Sequence, residues 1–226
     1  MTVYLALDTA VIVAAVLGEP DRLWVDWNDF DKRESALRLL PKSALEEYSQ
    51  VVEGLGRADP GILETVVADG ARLIRTAGPK APDSTTVASL ELPPNRSARL
   101  ERLIPVLRAI TPVGWNGHAA AAALRTFERE AFARKRDFLA RHPLFVPSDA
   151  QAFERKREQL FKLIAAGGTS WAFDSRILAE ASQHAAERAQ KTEFVTEDHR
   201  HMSPRCPAIL AVTGLERLRD LQGRAF

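Results

Sequence analysis

Four acidic residues hold positions from which they could act together. Asp8 follows the apolar run Val3-Tyr4-Leu5-Ala6-Leu7, and Asp198 follows Glu193-Phe194-Val195-Thr196 closely, so both stand where a short strand-forming segment ends. Glu47 and Asp174 fall on or at the start of segments with helical periodicity. If the two strands are neighbours, the four carboxylates can converge on one pocket. Clustered carboxylates repel one another unless a cation neutralises them. Mg2+ takes oxygen ligands and keeps several waters, and two such ions about 4 Å apart can activate a water and stabilise a leaving oxygen in phosphodiester cleavage. Each acid also has a local role open to it. Asp8 can cap the helix that follows, Asp174 can interact with a helix dipole, Asp198 can start a turn, and Glu46 or Glu47 can be solvated surface.

The elements that must position these acids read as an alternating α/β pattern. The strand 3–7 runs directly into a helix capped by Thr9 and ended by Gly18 and Pro20, which argues for a parallel sheet with functional groups at its carboxyl edge. Residues 23–39 are amphipathic and predict a helix, with a short strand at 38–41. Ser43 with Glu46 reads as a capping box for a helix to about Glu53, and Asp59-Pro60 opens another. Residues 78–97, with four prolines, predict a long surface loop. A helix from about Ala98 leads to a third strand at 109–113. Leu124, Phe127, Ala131 and Phe138 mark a long helix, broken by Pro143 and Pro147. Asp149 caps the next helix, to about Ala166, and Gly167-Gly168 closes that hairpin. A helix over 171–189, a strand over 193–196, a final strand over 208–212 and a short C-terminal helix complete the expectation.

The four acidic segments together resemble the PIN-domain nucleases, VapC-type toxins among them. Leu7-Asp8-Thr9 at the end of an opening strand is similar to the start of that family. Leu45-Glu46-Glu47-Tyr48 resembles the helix with its second acid, Asp174-Ser175-Arg176-Ile177-Leu178-Ala179-Glu180-Ala181 the helix opening on its third, and Thr196-Glu197-Asp198 its Thr-x-Asp signature. The resemblance implies a three-layer α/β/α sandwich with a central, mainly parallel sheet, and Mg2+- or Mn2+-dependent hydrolysis of RNA. It also implies that Asp8, Glu47, Asp174 and Asp198 bind the metal while Thr196 orients a carboxylate or a metal-bound water. It covers about residues 3–77, 100–125 and 169–212 of a single domain, 1–226, leaving the loop 78–97 and a helical segment of about 128–168 as insertions. Two departures stand out: Ala10 where the family has Asn, and Glu197 where Asn is commoner.

The remaining composition narrows the setting. With 46% hydrophobic and 27% charged residues, net charge +1 and one cysteine, the chain reads as an ordinary globular protein without a disulfide framework. No stretch suggests a membrane span, and a cytoplasmic location is expected. Arg125, Arg129 and Arg136 fall on one helical face and, with Arg176, are candidate nucleic-acid contacts; Glu128, Glu130 and Asp137 among them suit a solvated face equally. A toxin or defence effector implies an inhibitory antitoxin-like partner, and a homodimer is open. The alternative is a catalytically silent PIN-like module that binds RNA or protein. A haloacid-dehalogenase-like phosphotransferase needs a second Asp where Ala10 stands.

Overall fold

The computed structural model describes residues 3–109, 114–164 and 171–226. The chain is mixed α/β, and its five strands form one all-parallel sheet. In chain order the elements are β1 (Val3–Leu7), α1 (Thr9–Leu17), α2 (Trp24–Arg33), β2 (Leu37–Pro41), α3 (Lys42–Val51), α4 (Ile62–Ala77), α5 (Ser84–Ala88), α6 (Pro94–Ala109), α7 (Gly117–Arg141), β3 (Leu144–Phe145), α8 (Ala150–Ile164), α9 (Trp171–Arg188), β4 (Lys191–Val195), α10 (His199–Met202), α11 (Cys206–Thr213) and β5 (Arg217–Arg219). The strand order is β3-β2-β1-β4-β5. Successive strands therefore step outward one way from β1 to β3, and the other way from β1 to β4 and β5. The order reverses between β1 and β4, the kind of switch point where open parallel sheets leave a crevice beyond their carboxyl ends.

Two compact units share the chain. The first is built from Met1–Ile12, Asp26–Tyr48 and Leu139–Phe226, the second from Val13–Val25 and Ser49–Phe138. All five strands belong to the first. Its core is what a parallel sheet requires, with both faces covered and strands apolar in succession. Leu5, Ala6, Leu7, Leu40, Phe194 and Val195 are fully buried, and Leu160, Ile177, Leu178 and Ile209 contribute from α8, α9 and α11. Where α3 faces α9, a carboxylate replaces the usual apolar contact. Glu180, 2% exposed, accepts from the Ser43 backbone N–H at 2.9 Å and from its hydroxyl at 2.7 Å. The second unit is helical. Gly70 of α4 lets the helix approach Leu103 and Leu124 so closely that a Cβ there would meet their methyls at 3.1 and 2.9 Å, and Arg96 clamps the buried Asp69 through two nitrogens. Among the described residues no helix is long and apolar enough to cross a membrane.

Several expectations need correction. Residues 208–212 form helix, not strand: Pro207 sits in the first turn of α11 and Gly214, at φ 69°, closes it. The last strand is β5, and the chain ends in turns rather than a helix. The segment 78–97 is not one loop, because Asp83 and Thr86 form a capping box for α5 and Pro94 opens α6. Ser43 caps nothing, since its hydroxyl goes to Glu180 while Glu46 pairs elsewhere. Helix α4 starts at Ile62, beyond Pro60. Residues 23–39 divide into α2 and the start of β2. The segment 128–168 carries β3, an edge strand of the sheet. Of the expected strand at 109–113, Ala109 ends α6 and the other four residues lie outside the described residues, as do Gly167 and Gly168.

Glu180 generates a stability prediction. Glu180→Ala leaves the Ser43 N–H and hydroxyl buried without an acceptor, and is expected to cost about 2 kcal/mol. Glu180→Gln keeps one acceptor oxygen and should cost less. Urea unfolding of both variants checks the order, and equal midpoints for Glu180→Ala and the parent would refute it.

Candidate functional site

The site grows from the carboxyl end of β1. The Asp8 N–H continues the β1–β4 ladder by donating to the Val195 carbonyl at 3.1 Å, and its side chain, 6% exposed, turns in beneath the start of α1. Its Oδ1 accepts from the Thr9 N–H at 2.7 Å and its Oδ2 from the Thr196 hydroxyl at 2.6 Å. The oxygen of that hydroxyl also accepts from the Asp198 N–H at 3.1 Å. One fully buried threonine thus ties together the two strand-end acids. A second threonine links the helices: Thr9 Oγ1 donates to Glu47 Oε2 of α3 at 2.5 Å.

Glu47, not Glu46, faces Asp8. Glu46 turns away to pair with Arg176 at 2.8 Å and Lys42 at 3.4 Å. Asp174 stands in the first turn of α9 and accepts no hydrogen bond among the described residues. Asp198 caps α10, taking the His201 N–H on Oδ1 at 3.3 Å and lying 2.8 Å from His201 Nδ1 through Oδ2.

The charges of these acids act on one another. Burial pushes the Asp8 carboxyl up to about 6; the two threonine donors oppose this, and the charges of Asp198 and Glu197 add to it. Burial, with Asp8 adding, takes Glu47 to about 7 against the pull of Thr9. Asp174 reaches about 8 through burial, then the fields of Asp8, Glu47 and Asp198. With no donor to relieve it, Asp174 is the acid on which the repulsion falls most heavily.

Other candidates fall in different places. Glu197 accepts from the Leu221 N–H at 2.8 Å, and its charge still reaches Asp8. Arg176 is on α9, two residues beyond Asp174, and pairs with Glu46, whereas Arg125, Arg129 and Arg136 are exposed on the part of α7 that belongs to the second unit. Sequence reasoning missed two residues. Thr9 was read only as a helix cap, and His201 only as polar surface or a contact to RNA phosphate, not as a partner of Asp198; the single signal for the latter was its place three residues after Asp198.

The donor set is all oxygen and strongly anionic, the chemistry of a hard divalent cation. Among the described residues, however, no three Asp, Glu, His or Cys side chains already stand close enough to enclose an ion. A cation would draw the carboxylates together and supply the compensating charge that protons supply in its absence. Comparison with family models, with curated proteins and with solved structures finds no match to this chain.

The raised carboxyls make stability depend on pH. Between the ordinary values of 3.8–4.5 and the folded values of about 6, 7 and 8, the folded chain holds protons that the unfolded chain releases. Their stabilising contribution is complete below pH 4 and lost as pH rises towards 8. The metal-free protein should therefore melt lower at pH 8 than at pH 5. Asp174→Asn should raise the pH 8 melting temperature by about 3 °C, and millimolar Mn2+ should raise that of the parent. A parent that melts higher at pH 8 than at pH 5 would show the carboxyls to be ionised without strain.

Proposed function

We propose that this chain is a Mg2+- or Mn2+-dependent nuclease of the PIN type that hydrolyses RNA. The observation that carries the reading is the convergence of Asp8, Glu47, Asp174 and Asp198, from four separate stretches of chain, at the switch point of an all-parallel sheet. The reading takes the sheet as the middle layer of an α/β/α sandwich. The cation would contribute Lewis-acid activation of water and neutralisation of charge on the phosphodiester. Asp8, Glu47, Asp174 and Asp198 would hold it. Thr196 fixes the orientation of Asp8 and sets the distance to Asp198, and Thr9 does the same for Glu47. Asp8 and Thr196 are themselves buried, which keeps water from their hydrogen bond.

A second reading, a silent PIN-like binding module, draws support from the spacing of the carboxylates, which do not yet enclose an ion, and from Ala10 on α1. Cleavage of labelled RNA with Mn2+ or Mg2+ separates the two. Metal-dependent cleavage by the parent, reduced about a hundredfold or more by Asp8→Asn and by Asp174→Asn, is the expected result. Thr196→Val should weaken Mn2+ binding about tenfold, as loss of a group that orients a ligand does. Absence of cleavage with any RNA or divalent ion tried would favour the binding module, and cleavage unchanged in Asp8→Asn would place the active site elsewhere.

A further inference from the structure

A polyanion meets an obstacle at four clustered acids, and an ion-pair cluster on two of the helices that carry them, α3 and α9, answers it. Arg176 follows Asp174 by two residues on α9. One guanidinium nitrogen donates to Glu46 Oε2 at 2.8 Å, and the group lies 5.8 Å from the centre of the Phe173 ring, which supports it from one side. Its other nitrogens make no hydrogen bond among the described residues. Lys42, at the start of α3, approaches the other oxygen of Glu46 at 3.4 Å. One carboxylate is thus shared by two cations, and the field of Arg176 also reaches the buried Glu180. The Arg176 and Glu46 side chains are 34% and 35% exposed, so water reaches the pair and holds it weakly. A guanidinium with a fixed plane and open donors matches the oxygens of a phosphodiester.

We propose that Arg176 and Lys42 form the backbone-phosphate contact of the site, and that Glu46 is an intramolecular stand-in for that phosphate, displaced when single-stranded RNA binds. The proposal rests on the nuclease reading and adds to it the point at which substrate is gripped. The carboxylate keeps the two cations from folding onto the acids in the free protein, and it yields to a phosphate because the exchange trades one exposed ion pair for another with more hydrogen bonds.

The sign of one substitution distinguishes this role from a strut between α3 and α9. The measurement is the affinity of the full chain for a fluorescent single-stranded RNA in the Asp174→Asn background with Mn2+, at several salt concentrations. Arg176→Gln should weaken binding about tenfold and lower the salt slope by about 0.7, with Arg176→Lys intermediate. Glu46→Gln should tighten binding several-fold, because it frees both cations. If Glu46→Gln weakens binding as Arg176→Gln does, or if Arg176→Gln has no effect, the proposal is overturned while the nuclease reading stands. If neither this background nor the parent chain binds any RNA, the nuclease reading falls and the phosphate contact with it. Melting temperatures of each variant establish that the fold is kept.

Discussion

The parallel pairing of β1 with β4 is the constraint from which the rest of the first unit follows. These strands lie side by side in register from Val3 with Lys191 to Leu7 with Val195, and their carboxyl halves, Leu5–Leu7 and Phe194-Val195, are apolar and fully buried. Because the strand order reverses between them, no connection crosses directly over their carboxyl ends. Asp8 and Asp198 emerge into that space, and the Thr196 hydroxyl joins them. Helix α9 must run antiparallel to β4 to feed it, which puts the first turn of α9, with Asp174, at the same end. Helix α3 leaves the carboxyl end of β2 and brings Glu47. Four acids meet because four connections have nowhere else to start or finish.

Other carboxylates of this unit, buried or half-buried, sharpen the contrast. Asp220 is fully buried, but Arg224 holds its carboxyl below the ordinary value against the cost of burial. Arg219 does the same for Glu34, and Arg141 with Arg38 for Asp31. Glu180 has the two donors of Ser43. Each of these acids is satisfied by its surroundings and stiffens the fold. Asp174 has neither a cation nor a donor among the described residues, and Glu47 has only Thr9. Asp8 and Asp198 do have donors, in Thr9 with Thr196 and in His201, so the contrast rests on Asp174 and Glu47.

Much of this arrangement was legible in the sequence, and the exceptions have physical reasons. β1, β2, α1, α7, α8, α9 and β4 could be read from apolar runs, helical spacing and caps, because there local preference and tertiary context agree. Residues 208–212 misled because an unbroken run of five apolar residues has no period to separate strand from helix, although only Ile209 is buried; Pro207 was the overlooked sign of a helix start. β5 was illegible because Arg217 and Arg219 flank its one apolar residue, and a strand with a buried arginine exists only because Glu34 and Glu193 lie beside it. β3 has two residues between prolines and is defined by its pairing with β2 alone. At the site, residue types and order marked the acids, but the choice between Glu46 and Glu47 needed to know which face of α3 met Thr9 and which met Arg176.

The two units are threaded through one another along the chain, and this has a consequence for how the protein is made. β1 emerges early, yet its neighbour on one side, β4, lies almost the whole chain away: Asp8 and Thr196 are 188 residues apart. The intervening second unit closes on itself through contacts between nearby helices and can gain structure as it is synthesised. The sheet cannot, because joining its central strands means closing a very long loop, a step that slows folding strongly. During translation β1, one of the most apolar stretches of the molecule, has β2 to pair with on one side but must wait for β4 on the other. That open edge of β1 is where the incomplete sheet is exposed to self-association.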